Sequence, residues 1–323
     1  MRLRHPTGRI VHLGYEITPR PARRVAQVIG QLDTYAAVRT MIGADSLGVS
    51  LWLPPALAAA LATGARIRTR LRAELDARRL EVVTLSGLSF DEENGSPFIE
   101  GGGERSEPDD GENDPQPGWN QPARREYTLD LARVLVDLLP DDAVRGAVST
   151  IGLAPKADWD EETAKTGAGI LRRLSGGLAD IAWQTGRAVR VGFHTASGYA
   201  VDSPEETVAA LARIDKDRLG VRLDLDHVTR TWDDPVAGLE MLTDSGLSII
   251  EVRLTAAPGP RLDAWRAALA TLLGPDGPQT EYLTLAPHVD DPSAEQIASD
   301  LAYLRAELAA LGLAPENEPC PAR

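Results

Sequence analysis

The sequence predicts an α/β protein of the (β/α)8 TIM-barrel class, on three observations. Short β-branched runs alternate eight times with longer amphipathic stretches, the pattern of repeated βα units around a parallel sheet. The chain has 323 residues, more than the ~100–200 of a generic domain but suited to one barrel, for which about 250 is usual. Hydrophobic residues make up 43% and aromatic residues only 5%, so Ala, Leu and Val must build the core.

The eight strands are predicted at 9–15, 47–53, 80–85, 145–150, 188–194, 219–225, 247–254 and 281–285, the fourth and eighth on the thinnest signal. Amphipathic helical stretches follow at 22–41, 66–79, 128–139, 161–185, 204–214, 235–245, 262–273 and 293–311. Ser203-Pro204-Glu205-Glu206 and Asp291-Pro292-Ser293 supply helix-entry signals, a capping side chain or a Pro with early carboxylates. A single barrel is expected over 1–315, with a tail at 316–323.

Residues 91–122 break the pattern. They are rich in Gly, Pro and acid, and Glu92, Glu93, Glu100, Glu104, Glu107, Asp109, Asp110 and Glu112 stand against Arg105 alone. Without a hydrophobic period the segment reads as a flexible acidic insertion after the third strand. Two readings stand, a lid over the active face anchored by Phe98 and Trp119, or a plain insertion.

The formal charge of −14 argues against a nucleic-acid partner, which needs clustered Lys and Arg. Cys320 is the sole cysteine, which leaves no intramolecular disulfide and no cysteine-based zinc cluster. No ~18-residue apolar run suggests a membrane span, and residues 1–9 are too polar for a signal peptide, so a cytoplasmic location is expected. There is no Gly-rich phosphate loop, nucleophile elbow or dinucleotide fingerprint, so neither NAD nor ATP is expected.

Strand parity then sorts the faces, because residues two apart share one side. Val221, Leu223 and Leu225, with Ile250, Val252 and Leu254, form the helix-facing set. That leaves Arg222, Asp224 and Asp226 pointing inward on the sixth strand and Glu251 and Arg253 on the seventh. The same parity turns in His12 and Glu16, Ser50 and Trp52, Arg190 and His194, and Tyr282 and Thr284. Charges buried without partners would cost several kcal/mol each, roughly, so pairs are expected, Asp224 with Arg253 and Arg222 with Glu251. Arg190, Arg222 and Glu251 read either as fillers of the barrel or as part of a site.

His194, Asp224 and His227 fall at or just beyond strand ends, where barrel enzymes hold their chemistry. They are the candidate catalytic residues, together with Arg253. Trp52, Trp159 and Trp232 follow strand ends and read as aromatic walls for a ring-shaped ligand or as core packing. His288 is placed to reach the same mouth, and His12, Glu16 and Glu251 are candidate polar contacts to a substrate.

The segments HLGYEITP (12–19), LGVSLWLPPALAAAL (47–61), YTLDLARVLVDLLP (127–140), AVSTIG (147–152) and GVRLDLDH (220–227) resemble the EboE-type metabolite-traffic proteins, within the xylose isomerase-like barrels. The likeness keeps its order from about His12 to Ala257 and fades over the last two βα units. It implies a divalent-metal site with a Glu after the fifth strand, the Asp of a D-x-x-H element after the sixth, a His or Gln on the seventh and a Glu on the eighth. Asp224 and His227 match D-x-x-H, but His194, Arg253 and Thr284 stand at the other three places. An Arg in the site would repel a cation and claim Asp224, so no cofactor is expected. If a metal is present, its ligands are His194, Asp224 and His227.

Three functions remain open. The first is an isomerase, epimerase or lyase of small-molecule, secondary metabolism, with His194 and His227 as acid and base, Asp224 orienting one of them and Arg253 stabilising negative charge. The second is a metabolite-binding protein without turnover, and the third a metal-dependent isomerase or oxidase. Substrate, reaction and oligomeric state are not fixed by the sequence.

Overall fold

The computed structural model describes residues 1–17, 24–87, 118–256, 261–275, 277–278, 280–289 and 291–316. Eight parallel strands close into a barrel: β2 (Ile10–Glu16), β3 (Leu47–Trp52), β4 (Leu80–Gly87), β5 (Arg145–Thr150), β6 (Ala188–His194), β7 (Leu219–Asp224), β8 (Ile249–Thr255) and β9 (Tyr282–Ala286). Each pairs with the next, and β9 returns to β2 through His12 opposite Tyr282 and Tyr15 opposite Leu285. A short β1 (Arg2–Arg4) pairs antiparallel with β2 and with β10 (Ala314–Pro315). Neither short strand was predicted, because a run of two or three residues carries no period.

The helices lie outside. They are α1 (Val25–Met41), α2 (Pro55–Thr63), α3 (Ala65–Ala77), α4 (Pro122–Leu138), α5 (Glu161–Thr185), α6 (Pro204–Leu211), α7 (Leu225–Thr231), α8 (Pro235–Asp244), α9 (Leu262–Leu272) and α10 (Ala294–Ala310). Sequence periodicity misses α2, a nine-residue Ala-rich helix opened by Pro55 at its first turn. It misses α7 as well, seven residues capped by the side chain of Asp224. Among the described residues no helix is long and apolar enough to cross a membrane.

Alternation along the strands produces two different interiors. Leu13 and Tyr15, Val191 and Phe193, Val221 and Leu223, Val252 and Leu254, and Leu283 and Leu285 are buried against the helices, making an aliphatic layer between sheet and helix ring. The opposite faces of the same strands bury Glu16, Ser50, Thr84, Ser149, His194, Arg222, Asp224, Glu251 and Thr284 inside the barrel. The barrel axis is therefore polar and must be held by pairing.

The segment after β4 lies largely outside the described residues, Phe98 included, as does the tail with Cys320. Trp119 is fully buried, edge-on to Phe193 at 5.5 Å, on the helix-facing side of β6. One glycine is fixed by close approach of backbone. A Cβ on Gly220 of β7 would stand 2.2 Å from the Ser248 carbonyl oxygen. Gly220→Ala is therefore expected to destabilise the barrel by roughly 1–3 kcal/mol, read as a lowered urea midpoint at unchanged m-value.

Candidate active site

The carboxyl ends of β2, β6, β7 and β8 carry one connected network. The Glu16 carboxylate on β2 accepts hydrogen bonds at one oxygen from Arg222 Nη2 and from Arg253 Nε, both at 3.2 Å. Arg253 Nη1 donates to Asp224 Oδ2 at 2.8 Å, and Arg222 Nη1 lies 3.1 Å from His194 Nδ1. Deeper, Arg222 Nε stands 3.5 Å from Glu251 Oε1. Glu251 also accepts from Ser149 at 2.5 Å and Thr284 at 2.6 Å. Both ion pairs expected from strand parity are present, and Glu16 joins them across the closure of the barrel.

Asp224 does three things at once. Its Oδ1 accepts the backbone N–H groups of Asp226 and His227, both at 3.1 Å, capping α7. Its Oδ2 takes Arg253, and its own N–H donates to Thr195 Oγ1 at 3.0 Å. Burial opposes its charge, but Arg253, the His227 backbone N–H and Arg222 hold its carboxyl well below the ordinary carboxylate range. Arg253 in turn is held protonated by Asp224 and Glu16, against the effect of its burial.

His194 is buried, and a guanidinium has no lone pair to offer, so the contact with Arg222 makes Nδ1 an acceptor and leaves the proton on Nε2. Burial first, and the positive charge of Arg222 second, push this imidazole well below its usual range. His194 is thus a neutral ring presenting one N–H, with Nε2 at 4.0 Å from Asp224 Oδ2. In this arrangement Nδ1 is engaged by Arg222 and Nε2 carries the proton, so the ring has an N–H to offer and no free lone pair.

No protein-family model matches the chain, and no curated protein matches its sequence. Among solved structures it is similar to a D-allulose 3-epimerase from Methylomonas sp. at 12% identity and TM-score 0.58, over 92% of this chain and 98% of that one. It is similar to a D-tagatose 3-epimerase-like protein at 14% identity and TM-score 0.56, over 94% and 98%. A third likeness, at 17% identity and TM-score 0.51 over 95% and 94%, is to a xylose isomerase-like TIM barrel protein from Mycobacterium smegmatis in complex with magnesium. These likenesses agree with the closed eight-strand barrel, and the fold is a (β/α)8 TIM barrel.

Within this barrel the other predicted residues separate. His227 has partners of its own: its Nε2 lies 3.1 Å from Asp202 Oδ1 and 3.4 Å from Thr231 Oγ1. Asp202 is fixed further by Lys156 at 3.1 Å and the Gly198 N–H at 3.0 Å. His227 thereby ties α7 to the loop after β6. Glu251 is 1% exposed beneath the mouth, its carboxylate occupied by Ser149, Thr284 and Arg222.

Three expectations need correcting. His12 shares a face with Glu16 but lies four residues earlier, about 13 Å at the usual strand rise. It sits at the amino-terminal end, stacked on Tyr282 at 5.6 Å, and burial together with the nearby α-amino group and Arg2 lowers it to about 4. Trp232 is buried core: its ring would collide with a Cβ on Gly238, and its Nε1 donates to the Asp202 carbonyl at 2.9 Å. His288 pairs with Asp300 of α10 at 3.2 Å, on the helix ring. Trp52, half-buried at the end of β3, keeps its place at the carboxyl end of the barrel.

Parity turns Asp226 inward, and the structure gives it a further distinction. At the second position of α7 it is half-buried, and desolvation together with the neighbouring Asp224 charge pushes its carboxyl up to about 6, against a hydrogen bond from Thr255. The signal was available as the second carboxylate of D-L-D-H. Asp202 and Thr195 had no such signal, because their roles depend on which loop folds over α7.

Among the described residues no group of three or more His, Cys, Asp or Glu side chains is placed to hold a metal ion. A cavity of about 620 Å³ lies at the opposite, amino-terminal end, lined by Arg2, Arg72, Glu81, Asp141 and Asp142 among others. Its Arg2 and Arg72 are already paired with those acids or with Asp76.

Proposed function

We propose that this protein is an enzyme of the isomerase, epimerase or lyase type that moves a proton on a polar, cyclic small molecule at the carboxyl end of the barrel. In this reading a guanidinium, rather than a divalent cation, supplies the positive charge of the site. The observation that carries it is Arg253, which bridges Asp224 at 2.8 Å and Glu16 at 3.2 Å.

A cation bound by Asp224 would have to displace that guanidinium or share the carboxylate with it. Arg stays protonated in proteins, and its partners hold this one so. His194 cannot compensate, because its Nδ1 is engaged by Arg222. The donor set does not fit a divalent metal, so the mechanism is built from the residues alone.

Removing a proton beside a carbonyl develops negative charge on oxygen, and preorganised donors stabilise that charge most effectively in a site screened from water. Arg253 Nη2 and the His194 Nε2–H are the donors of this role. Asp226 is the carboxylate that accepts the proton, since Asp224, Glu16 and Glu251 are all committed to guanidinium partners. The solved neighbours that are sugar epimerases support proton transfer as the reaction class.

Protein purified without chelator is expected to be metal-free by elemental analysis and to catalyse uptake of solvent deuterium into a ketose or cyclic hydroxyketone, followed by NMR. Chelator is expected to leave the exchange unchanged, and Asp226→Asn to abolish it. Stoichiometric metal that disappears in Asp224→Ala would return the metal-dependent reading to first place. Replacement of three of the four expected ligand positions favours a second reading, ligand binding without turnover. Saturable binding with no exchange in any carbohydrate tested would select it.

A further inference from the structure

The outward face of α5 has no role in the barrel, yet its residues are unusual for a solvated helix. α5 is 25 residues long, about 37 Å, and buries Ile170, Leu171, Leu174, Leu178 and Ile181 toward the sheet. On the other side Trp183 is 91% exposed. A side chain with so much apolar surface is costly to leave wholly in water.

Gly169 and Gly176 lie on that same side, and a Cβ at either would meet nothing within 4 Å. Each costs the helix roughly 0.5–1 kcal/mol relative to Ala without any packing within the chain to require it. Arg172, Arg173 and Asp180 are exposed beside them and make no ion pair among the described residues.

The spacing of these residues is self-complementary. Residues 169, 176 and 183 are seven apart, and a helix drifts only about 20° per seven residues, so the three form one line. When two such helices are set antiparallel with the twofold at Gly176, residues equally far before and after it lie level across the contact. Seven before, Gly169, then meets seven after, Trp183. Four before, Arg172, is level with four after, Asp180, and Arg173 lies on the same side of the contact as that Asp180. The glycines let the backbones approach and leave room for the indole. A parallel arrangement would instead set Trp183 on Trp183 and Arg172 on Arg172.

We propose that α5 is the interface of a twofold-symmetric homodimer, in which Trp183 of each copy packs over Gly169 of the other and Asp180 pairs with the Arg172–Arg173 corner. The occupant is a second copy because a twofold contact requires the same patch to satisfy itself, and this one does so in both shape and charge.

Sedimentation velocity over micromolar concentrations tests it. Wild type is expected to show a monomer–dimer equilibrium, and Trp183→Ala to weaken it about tenfold or more. Asp180→Arg should weaken it too, and the triple variant Arg172→Asp, Arg173→Asp, Asp180→Arg should restore it, because the reversed charges pair again. All four residues are exposed, so unchanged melting temperatures are expected throughout. A wild type that stays monomeric, a dimer indifferent to Trp183→Ala, or a triple variant as weak as Asp180→Arg would each overturn the proposal.

Discussion

Arg222→Met is expected to destabilise the protein by about 3–5 kcal/mol, because it removes one partner from a buried network and leaves the carboxylates behind. Arg222 is 1% exposed and contacts Glu16, Glu251 and His194 together. Methionine fills much of the volume, so the loss is electrostatic and not a cavity. Chemical denaturation at neutral pH measures it. A deficit below about 1 kcal/mol at neutral pH would mean that water enters the barrel freely and solvates Glu16 and Glu251.

Arg253→Lys is expected to cost roughly a hundred- to a thousandfold in kcat, with a smaller change in KM, if this guanidinium stabilises developing charge. Lysine keeps the charge but not the fork: one ammonium cannot hold Asp224 and Glu16 and still point a donor at the substrate. The companion variants concern His194. His194→Gln can still accept from Arg222 and donate at its other end, so it should retain far more activity than His194→Ala. Its pH–rate profile should match wild type on the acid side, because His194 is already neutral there. A profile that loses its acid limb in His194→Gln would make His194 the titrating group and withdraw the donor role.

Much of this arrangement was legible before the fold. The eight barrel strands lie within about two residues of their predicted limits, because apolar alternation on a two-sided sheet leaves little freedom of register. Val221, Leu223, Arg222 and Asp224 went to opposite faces for the same reason, and the pairs Asp224–Arg253 and Arg222–Glu251 followed from charge balance. Height along the barrel was not legible. His12 and Glu16 share parity, yet one lies at the amino-terminal end and the other joins two arginines, because the tilt and stagger of the closed sheet decide level.

What the chain alone determined was the barrel, its polar axis and the chemical inventory of the mouth, since period and parity are local properties of the backbone. Only the tertiary structure decided how that inventory is spent. Closure of β9 onto β2 brings Glu16 within 3.2 Å of Arg222 and Arg253, 206 and 237 residues away. The loop after β6 takes His227 for Asp202, and Arg222 fixes which nitrogen of His194 carries its proton. Partners of this kind are set by distance in space, and a periodic pattern holds no record of them.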